Sequence, residues 1–505
     1  MTPSFLQNQK TKLVLILFLA FVIRLAGIVS RPIWYDEAFS ILFSEKGLGA
    51  MIYGTLSKTG AGTADIHPLG YYTLLWIWMN IFGQSVLAAR FLSILTNLAS
   101  VIVVYLIACN LFNVKTAIIA AILVSILPFQ VHFAQEIRMY SLLSLWLLIA
   151  TFSFLRGRTG NWKWWILFGI SSALAQYTHH LAIIYLFPLA LTPLIQKDIK
   201  TLKSVGLASV FAVILYLPWL VYLPAQFSKV NTAYWVERPG MEKIFTLLLF
   251  YLPHLPLPNK LLLPGLITST ITVALAIFQT SLAKRKTLPN LNRGVWLAYL
   301  AFMPPLLLWL ISQFVPIYIE RALLPSHAIF CIWLAWAFTQ TEMPKPVQTF
   351  GFGLIIVASA MGIFQHVTYA GFPYGPFSTL DKRIKAEYQQ GDMIVHSNKL
   401  SYLPALYFDP ETPQGYITDP SGSTIDTLAP ATQEILHTQG YNDIKTATMD
   451  KGRIWFIIYQ QSIDEFRSQG FQTHPDLEYL NTNFILTSIE IFDDVRLYIY
   501  TRKAP

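Results

Sequence analysis

Charged residues are scarce. Asp, Glu, Lys and Arg make up 12% of the 505 residues, about half the share usual in soluble domains. That shortage excludes an ordinary water-soluble enzyme. With 54% hydrophobic residues and a mean hydropathy of +0.49, it indicates a chain that crosses a membrane many times. Cysteine is scarcer still: Cys109 and Cys331 both lie inside apolar runs, which excludes a disulfide framework and a thiolate metal site. The opening segment has no small-x-small cleavage site, and its apolar run, Leu13 to Val29, is too long for a removable leader, so it is expected to remain as an anchor. No basic run is interleaved with exposed aromatics. The net charge of +9 is therefore assigned to loop lysines and arginines on the cytoplasmic side and not to nucleic-acid binding.

Apolar runs of helix length fall at 13–30, 68–84, 86–112, 116–134, 139–155, 162–178, 181–196, 204–224, 261–280, 294–314, 321–340 and 347–367. Basic residues orient them. Lys10 and Lys12, then Arg156, Arg158 and Lys163, then Lys197, Lys200 and Lys203, then Lys284, Arg285 and Lys286 are all expected in the cytoplasm. Parity then requires the run at 68–84 to begin and end outside, so it reads as a tilted or re-entrant helix, bounded by Pro68 and Gly83, that does not cross fully; the alternative is a full crossing, which would invert everything downstream. The expected architecture is a polytopic α-helical membrane protein with about 11 transmembrane helices. Amphipathic helices are expected in the outer loop that carries Trp34, Tyr35, Phe39, Phe43 and Tyr53, and a second interfacial segment over 225–257.

From about residue 372 charges return. Short β-type runs at Met393–Val395, Ile454–Tyr459, Phe484–Ile491 and Val495–Tyr500 alternate with helix-like stretches, which predicts a small α/β unit over 371–505 behind a membrane unit over 1–370. No Gly-rich phosphate loop occurs in it, and its histidines, His396, His437 and His474, are scattered.

Directly after the first apolar run stands Arg31-Pro-Ile-Trp-Tyr-Asp-Glu-Ala-Phe-Ser40, which puts Asp36 and Glu37 where hydrocarbon gives way to water. One reading is a solvated loop with a capping Asp. The other is a catalytic carboxylate, since ionisable groups at the bilayer edge are costly and mark substrate paths. The same outer face is expected to carry His67, Glu136 with Arg138 and Tyr140, His179-His180, and Glu320-Arg321. Each alone is explicable as an interfacial anchor or a helix-end charge. Grouped on one side they favour a site, whereas a transporter would place its charges near mid-membrane.

The string Asp36-Glu37, His67-Pro-Leu-Gly-Tyr-Tyr, Phe82-Gly-Gln-Ser, Ala89-Arg-Phe-Leu-Ser93 and Gln135-Glu-Ile-Arg-Met-Tyr140 resembles the membrane glycosyltransferases of the C-type fold. It is most similar to the family 39-like group of protein O-mannosyltransferases, lipid A aminoarabinose transferases and rhizobial galacturonosyltransferases. The resemblance covers roughly residues 10–340, and Glu320-Arg-Ala-Leu-Leu-Pro325 resembles the group's late outer-loop motif. Leu69 stands where the group often has a second proline.

The resemblance implies transfer of a sugar from a polyprenyl-phosphate donor to a lipid, glycan or protein acceptor on the outer face of the plasma (inner) membrane. Asp36 takes the role of base by its match to the first-loop acid, and Glu37 assists or orients it. Arg138 and Arg321 are candidates for the carrier phosphate, because a guanidinium fork holds phosphate oxygens at two points. His67, Glu136, Tyr140 and Glu320 complete the expected substrate-binding set, with Glu136 and Glu320 holding the neighbouring arginines. A glycosyl phosphate already has a good leaving group, so one base and a single inverting displacement suffice, and adjacent carboxylates cannot sit across a sugar from each other. No cofactor is required. A divalent cation is possible if Glu37, His67 and Glu136 converge, although no ligand spacing demands it. The competing class is a non-catalytic protein that binds or translocates membrane lipids; a translocator should show paired half-sequences, and no internal repeat is present.

Overall fold

The computed structural model describes residues 3–60, 62–232, 234–285 and 290–503. Lys286, the last member of one expected basic cluster, lies outside them. Helices follow the apolar runs from the start of the chain to Thr368. α1 (Pro3–Leu25) leads into two short helices, α2 (Tyr35–Glu45) and α3 (Gly47–Leu56), then a small hairpin of β1 (Lys58–Thr59) and β2 (Gly62–Thr63). Next come α4 (Gly70–Phe82), α5 (Val86–Leu111), α6 (Val114–Ile126), α7 (Pro128–Ala134), α8 (Tyr140–Gly157) and α9 (Lys163–Thr178). α10 (Ala182–Ile195), α11 (Ile199–Leu220), α12 (Leu223–Thr232), α13 (Glu242–Tyr251), α14 (Asn259–Arg285), α15 (Leu291–Ser312), α16 (Leu324–Thr339) and α17 (Lys345–Thr368) complete this part. Sequence signals set the boundaries. Ser85 and Asn113 each accept a hydrogen bond from the backbone three residues on, Ala88 and Thr116, and so cap α5 and α6.

Among the described residues seven helices are long and apolar enough to cross a bilayer: α5, α8, α11, α14, α15, α16 with its preceding turn, and α17. An eighth span results if α6 and α7 count as one. The expected eleven is not reached by this measure. The run at 116–134 is broken by 59° before Pro128, whose ring and missing N–H end the helix. α9 and α10, with 16 and 14 residues, rise only about 24 and 21 Å, short of the roughly 30 Å hydrocarbon layer. α4, at 13 residues, is shorter still. α16 is apolar all round and 94% of its span is buried, so it is the central post of the bundle.

The bundle has two distinct ends. Arg158 pairs with Asp198 at 3.3 Å, which brings the basic clusters at 156–163 and 197–203 together. They lie the length of α8 away from Tyr140, about 27 Å. Arg293 donates to the Leu111 carbonyl, so the first turn of α15 lies where α5 ends, remote from Arg90 near its start.

The remaining chain contains α18 (Phe377–Lys385), β3 (Met393–His396), α19 (Lys399–Phe408), β4 (Gln414–Ile417), α20 (Pro430–Leu436) and β5 (Gly440–Tyr441). It ends with α21 (Ile444–Thr448), β6 (Arg453–Tyr459), α22 (Gln460–Ser468), α23 (Pro475–Asn483), β7 (Phe484–Phe492) and β8 (Val495–Arg502). The six-stranded sheet has the order β5-β4-β3-β6-β8-β7, parallel as far as β6 and antiparallel beyond it. β6 is buried on both faces, which is why Ile454–Tyr459 reads as an unbroken apolar run.

This small unit sits on α3 and on the turn between α4 and α5. Thr432 Oγ1 donates to the Gly54 carbonyl at 2.9 Å, Tyr53 donates to Glu434 at 2.8 Å, and Ile435 packs on Gly54 so closely that a Cβ there would lie 2.4 Å from its tip. Tyr407 donates to the Gln84 carbonyl at 3.0 Å.

Candidate active site

The site begins with an ion pair that never reaches it. Arg90, fully buried on α5, donates Nε and a terminal nitrogen to the two oxygens of Glu37 at 2.9 and 2.7 Å. Its remaining donors take the carbonyls of Ile28, Arg31 and Pro32. The fork thus pins the turn between α1 and α2. Glu37 also accepts from the Ile137 backbone N–H at 3.1 Å, which fastens the segment between α7 and α8 to the same carboxylate. Successive helix residues point about 100° apart, so fixing Glu37 inward turns Asp36 out of the core. It also sets Arg138, one residue beyond Ile137.

Asp36 Oδ2 lies 3.0 Å from a terminal nitrogen of Arg321 and 3.5 Å from Arg138 Nε. Arg138 further donates to the Tyr72 hydroxyl at 3.1 Å and Ser40 Oγ at 3.4 Å. Arg321 lies between aromatic faces, 5.0 Å from the Tyr140 ring centre and 5.7 Å from that of Trp34. Burial works to raise the pKa of Asp36, but the two guanidinium groups and His67 outweigh it and hold the carboxyl below its ordinary value. The pair is reciprocal: burial would lower Arg138, yet Asp36 keeps it well above the usual range, permanently charged.

These groups open on a cleft of about 710 Å³, partly open to solvent. Asp36, His67, Arg138 and Arg321 line it together with Tyr35, Phe39 and Tyr72. Asp65 lines it too, and its Oδ1 takes His67 Nδ1 at 2.8 Å and the His67 backbone N–H at 2.9 Å. That carboxylate places a ring hydrogen on Nδ1. Burial tends to raise Asp65 as well, and the histidine contacts hold it below its usual value. Lys229, Tyr234 and Trp235 close one wall, and Thr427, Leu428 and Thr432 of the small sheet unit close another.

Three expected site residues go elsewhere. Glu37 is locked to Arg90 and does not line the cleft. Glu136 does not hold Arg138: it lies 3.2 Å from His132 and 3.9 Å from Arg31, and burial raises its pKa despite Arg31. Glu320 does not hold Arg321 either. Adjacent residues of the 3-10 turn at 320–323 diverge by about 120°, so Glu320 meets Lys243 at 2.7 Å while Arg321 faces the cleft. Asp36 holds both arginines instead. Tyr140 supports Arg321 through its ring and is not part of the lining. Glu37, His67 and Glu136 do not converge, and among the described residues no three His, Cys, Asp or Glu side chains are placed to hold a metal ion.

A family model, dolichyl-phosphate-mannose-protein mannosyltransferase, matches residues 66–222, less than half of the chain. Comparison with proteins of curated function finds no match. Among solved structures, ArnT from Cupriavidus metallidurans in the apo state aligns over 96% of this chain and 97% of its own, with a TM-score of 0.64 at 11% identity. The chain has the C-type glycosyltransferase fold. The same ArnT bound to undecaprenyl phosphate aligns over 99% of this chain and 98% of its own, with a TM-score of 0.60 at 10% identity. An Archaeoglobus fulgidus oligosaccharyltransferase, in complex with Zn and sulfate, aligns over 97% of this chain and 73% of its own, with a TM-score of 0.54 at 13% identity. The C-type fold accounts for the short helices α2 and α3 and the small sheet unit as parts of one architecture.

Sequence reasoning missed Asp65, Tyr72 and Lys229. Asp65 stands two residues before His67 in a loop with no periodicity to show its direction. Lys229 lies in the 225–257 segment read only as an interfacial roof. No signal in the sequence pointed to Thr427 or Thr432.

Proposed function

We propose that the protein transfers a sugar from a polyprenyl-phosphate donor to an acceptor hydroxyl at the cleft around Asp36, on the extracytoplasmic side of the plasma membrane. The observation that carries this reading is a single outward-facing carboxylate held between two arginines, at a membrane-helix end, in a C-type fold. Arg138 and Arg321 stand at the starts of α8 and α16, the level at which a lipid phosphate meets water. When the donor binds, its phosphate competes with Asp36 for the two guanidinium groups. Released from them, Asp36 gains basicity where the acceptor needs a base. The acceptor oxygen attacks the anomeric carbon, the phosphate leaves with the bonding electrons, and Asp36 takes the acceptor proton. Asp65 is engaged by His67 and backbone N–H groups, which favours one displacement with inversion over a covalent intermediate.

Because two fixed guanidinium groups already neutralise the leaving phosphate, no divalent cation is required in this reading. Orientation is supported by the basic clusters, which gather at the far end of the bundle from Asp36. The sheet unit over 371–505 then lies outside, forming part of the cleft wall. The test is incubation of the purified protein in lipid nanodiscs with a radiolabelled polyprenyl-phosphate sugar and an envelope lipid extract, with and without EDTA. Label moving to an acceptor supports transfer, and transfer that survives EDTA supports the cation-free form of the reading, which loss of transfer with EDTA would overturn. Neither transfer nor binding of the donor would overturn it and favour a lipid-binding or lipid-translocating protein.

A further inference from the structure

The cleft has a second cationic group that the reaction just described leaves unused. Lys229, on α12, is 6% exposed and lines the cleft, yet the single acceptor within reach of its ammonium among the described residues is the Asp426 carbonyl at 3.3 Å. An ammonium has three donors, and one buried with two of them unmet is costly unless a ligand completes it. Burial lowers its pKa and Lys399 adds to the shift, while Asp426 and Asp65 oppose it. Asp36 contacts Arg321 at 3.0 Å and Arg138 at 3.5 Å, whereas Lys229 reaches the Asp426 carbonyl. The two cationic centres thus have different partners, Asp36 for the arginines and the Asp426 carbonyl for Lys229, and Asp65 with His67 lines the same cleft.

The wall around Lys229 is built, not incidental. It comes from the loop after β4, which is anchored by Lys399: its ammonium, also buried, holds Asp419, the Ile425 carbonyl and Thr427 Oγ1. That network sets Asp426 over Lys229 and places Thr427 and Leu428 in the lining.

Resting on the function proposed above, we propose that Lys229 and the 419–428 loop form an anion subsite that holds a carboxylate or phosphate carried by the acceptor, distinct from the carrier-phosphate site at Arg138 and Arg321. A prenyl phosphate enters from the bilayer and meets the arginines at the helix ends. Lys229 lines the cleft against the Asp426 carbonyl of the sheet unit, and this wall is assigned to the acceptor. The aromatic rings of Tyr35, Tyr234 and Trp235, which line the same cleft, suit a sugar face.

The full chain in nanodiscs is titrated with inorganic phosphate, glucuronate and undecaprenyl phosphate, read by tryptophan fluorescence, since Trp235 lines the cleft. Lys229→Gln should weaken phosphate or glucuronate binding at least tenfold and leave undecaprenyl phosphate within twofold of wild type, while Lys229→Arg should keep both. Preference for phosphate or for glucuronate identifies the acceptor's anion. Unchanged binding of both small anions by Lys229→Gln overturns the subsite. Loss of undecaprenyl phosphate to the same degree in Lys229→Gln and Arg321→Lys also overturns it, because Lys229 would then belong to the carrier phosphate. Should Lys229→Gln fail to fold, Thr427→Val with the same titrations decides, a wild-type response to the small anions counting against the subsite. Wild-type protein that binds the small anions but not undecaprenyl phosphate would refute the proposed transfer while leaving an anion site at Lys229.

Discussion

Arg90 grips Glu37 with two nitrogens at 2.9 and 2.7 Å, and this pair, buried below the cleft, decides where Asp36 points. It predicts opposite behaviour for two neighbouring acids. Glu37→Gln or Glu37→Ala leaves Arg90 buried with its partner weakened or gone, an effect of about 3–5 kcal/mol when one member of a buried pair is removed. The expected outcome is a fall in melting temperature together with lost activity. Glu37→Leu combined with Arg90→Leu should recover part of the stability and none of the activity, because the turn before α2 is no longer pinned. A thermal-shift series over the four proteins checks this, and a Glu37→Ala protein as stable as wild type would show that the pair does not organise the site.

Asp36→Asn should instead leave folding intact and remove turnover. Asparagine keeps the volume and cannot take a proton, and loss of a positioned base costs about 10²–10⁴ in rate. Gel filtration should match wild type and the melting temperature should fall less than in Glu37→Ala, since Asp36 opens on the cleft, while sugar transfer falls by at least a hundredfold. Turnover within a few-fold of wild type would remove Asp36 from its role.

The two carboxylates look alike in the sequence, where only the family resemblance told base from helper, and the reason is physical. Adjacent residues of α2 point to different faces, and only the partner tells which face is inside. Arg90 was visible as part of a motif, but its role as that partner needs α5 beside α2. The same limit explains Glu136 and Glu320, which stand next to the cleft arginines in the chain yet turn away from them. Apolar runs revealed nearly every membrane helix, because a lipid-facing helix must be apolar over its length. They did not reveal the break before Pro128, since Phe129 and Val131 keep the run apolar through the bend. β4 and β5 escaped because they have four and two residues and carry Gly415 and Gly440. The pairing of Asp36 with Arg321, 285 residues apart, was legible only as two motifs expected on one face.

The pH dependence should separate the free enzyme from its complex. Asp36 must be ionised to act as base, and the two arginines hold its pKa below the ordinary 3.8, so kcat/KM should stay level down to about pH 4 and fall only in stronger acid. Once the donor phosphate occupies the arginines, that restraint weakens and the pKa rises, so the acid limb of kcat should lie at higher pH than that of kcat/KM. Coincident limbs would show that the phosphate does not compete with Asp36. Asp36 also stabilises the fold above its unfolded pKa, and that contribution disappears as pH falls through its lower folded value.

Arg138→Lys and Arg321→Lys keep a charge and lose the fork. A charged hydrogen bond to phosphate contributes about 1.5–3 kcal/mol, so the alanine variants should weaken donor affinity roughly ten- to a hundredfold. Lysine should restore only part of it. Arg321→Lys should be the more damaging of the two, because the flat guanidinium lies between Trp34 and Tyr140 and an ammonium does not stack in that slot. Donor titrations of the four variants check this, and wild-type affinity in all four would place the carrier phosphate elsewhere.

Topology gives the last prediction. If the basic clusters at 156–163 and 197–203 are cytoplasmic, then Asp36, the α4–α5 turn and the sheet unit share the outer side, since Tyr407 reaches the Gln84 carbonyl and Thr432 reaches that of Gly54. α4 is too short to cross, so its two ends belong on one side. In a variant lacking Cys109 and Cys331, single cysteines at the exposed positions Gln84 and Ser421 should react with an impermeant thiol reagent on intact cells. A cysteine at Lys200, in the second basic cluster, should react only after lysis. Labelling of Gln84→Cys only after lysis would invert the bundle and place the cleft in the cytoplasm. Reaction at Gln84 without reaction at Ser421 would contradict the packing of the sheet unit on the outer-loop helices.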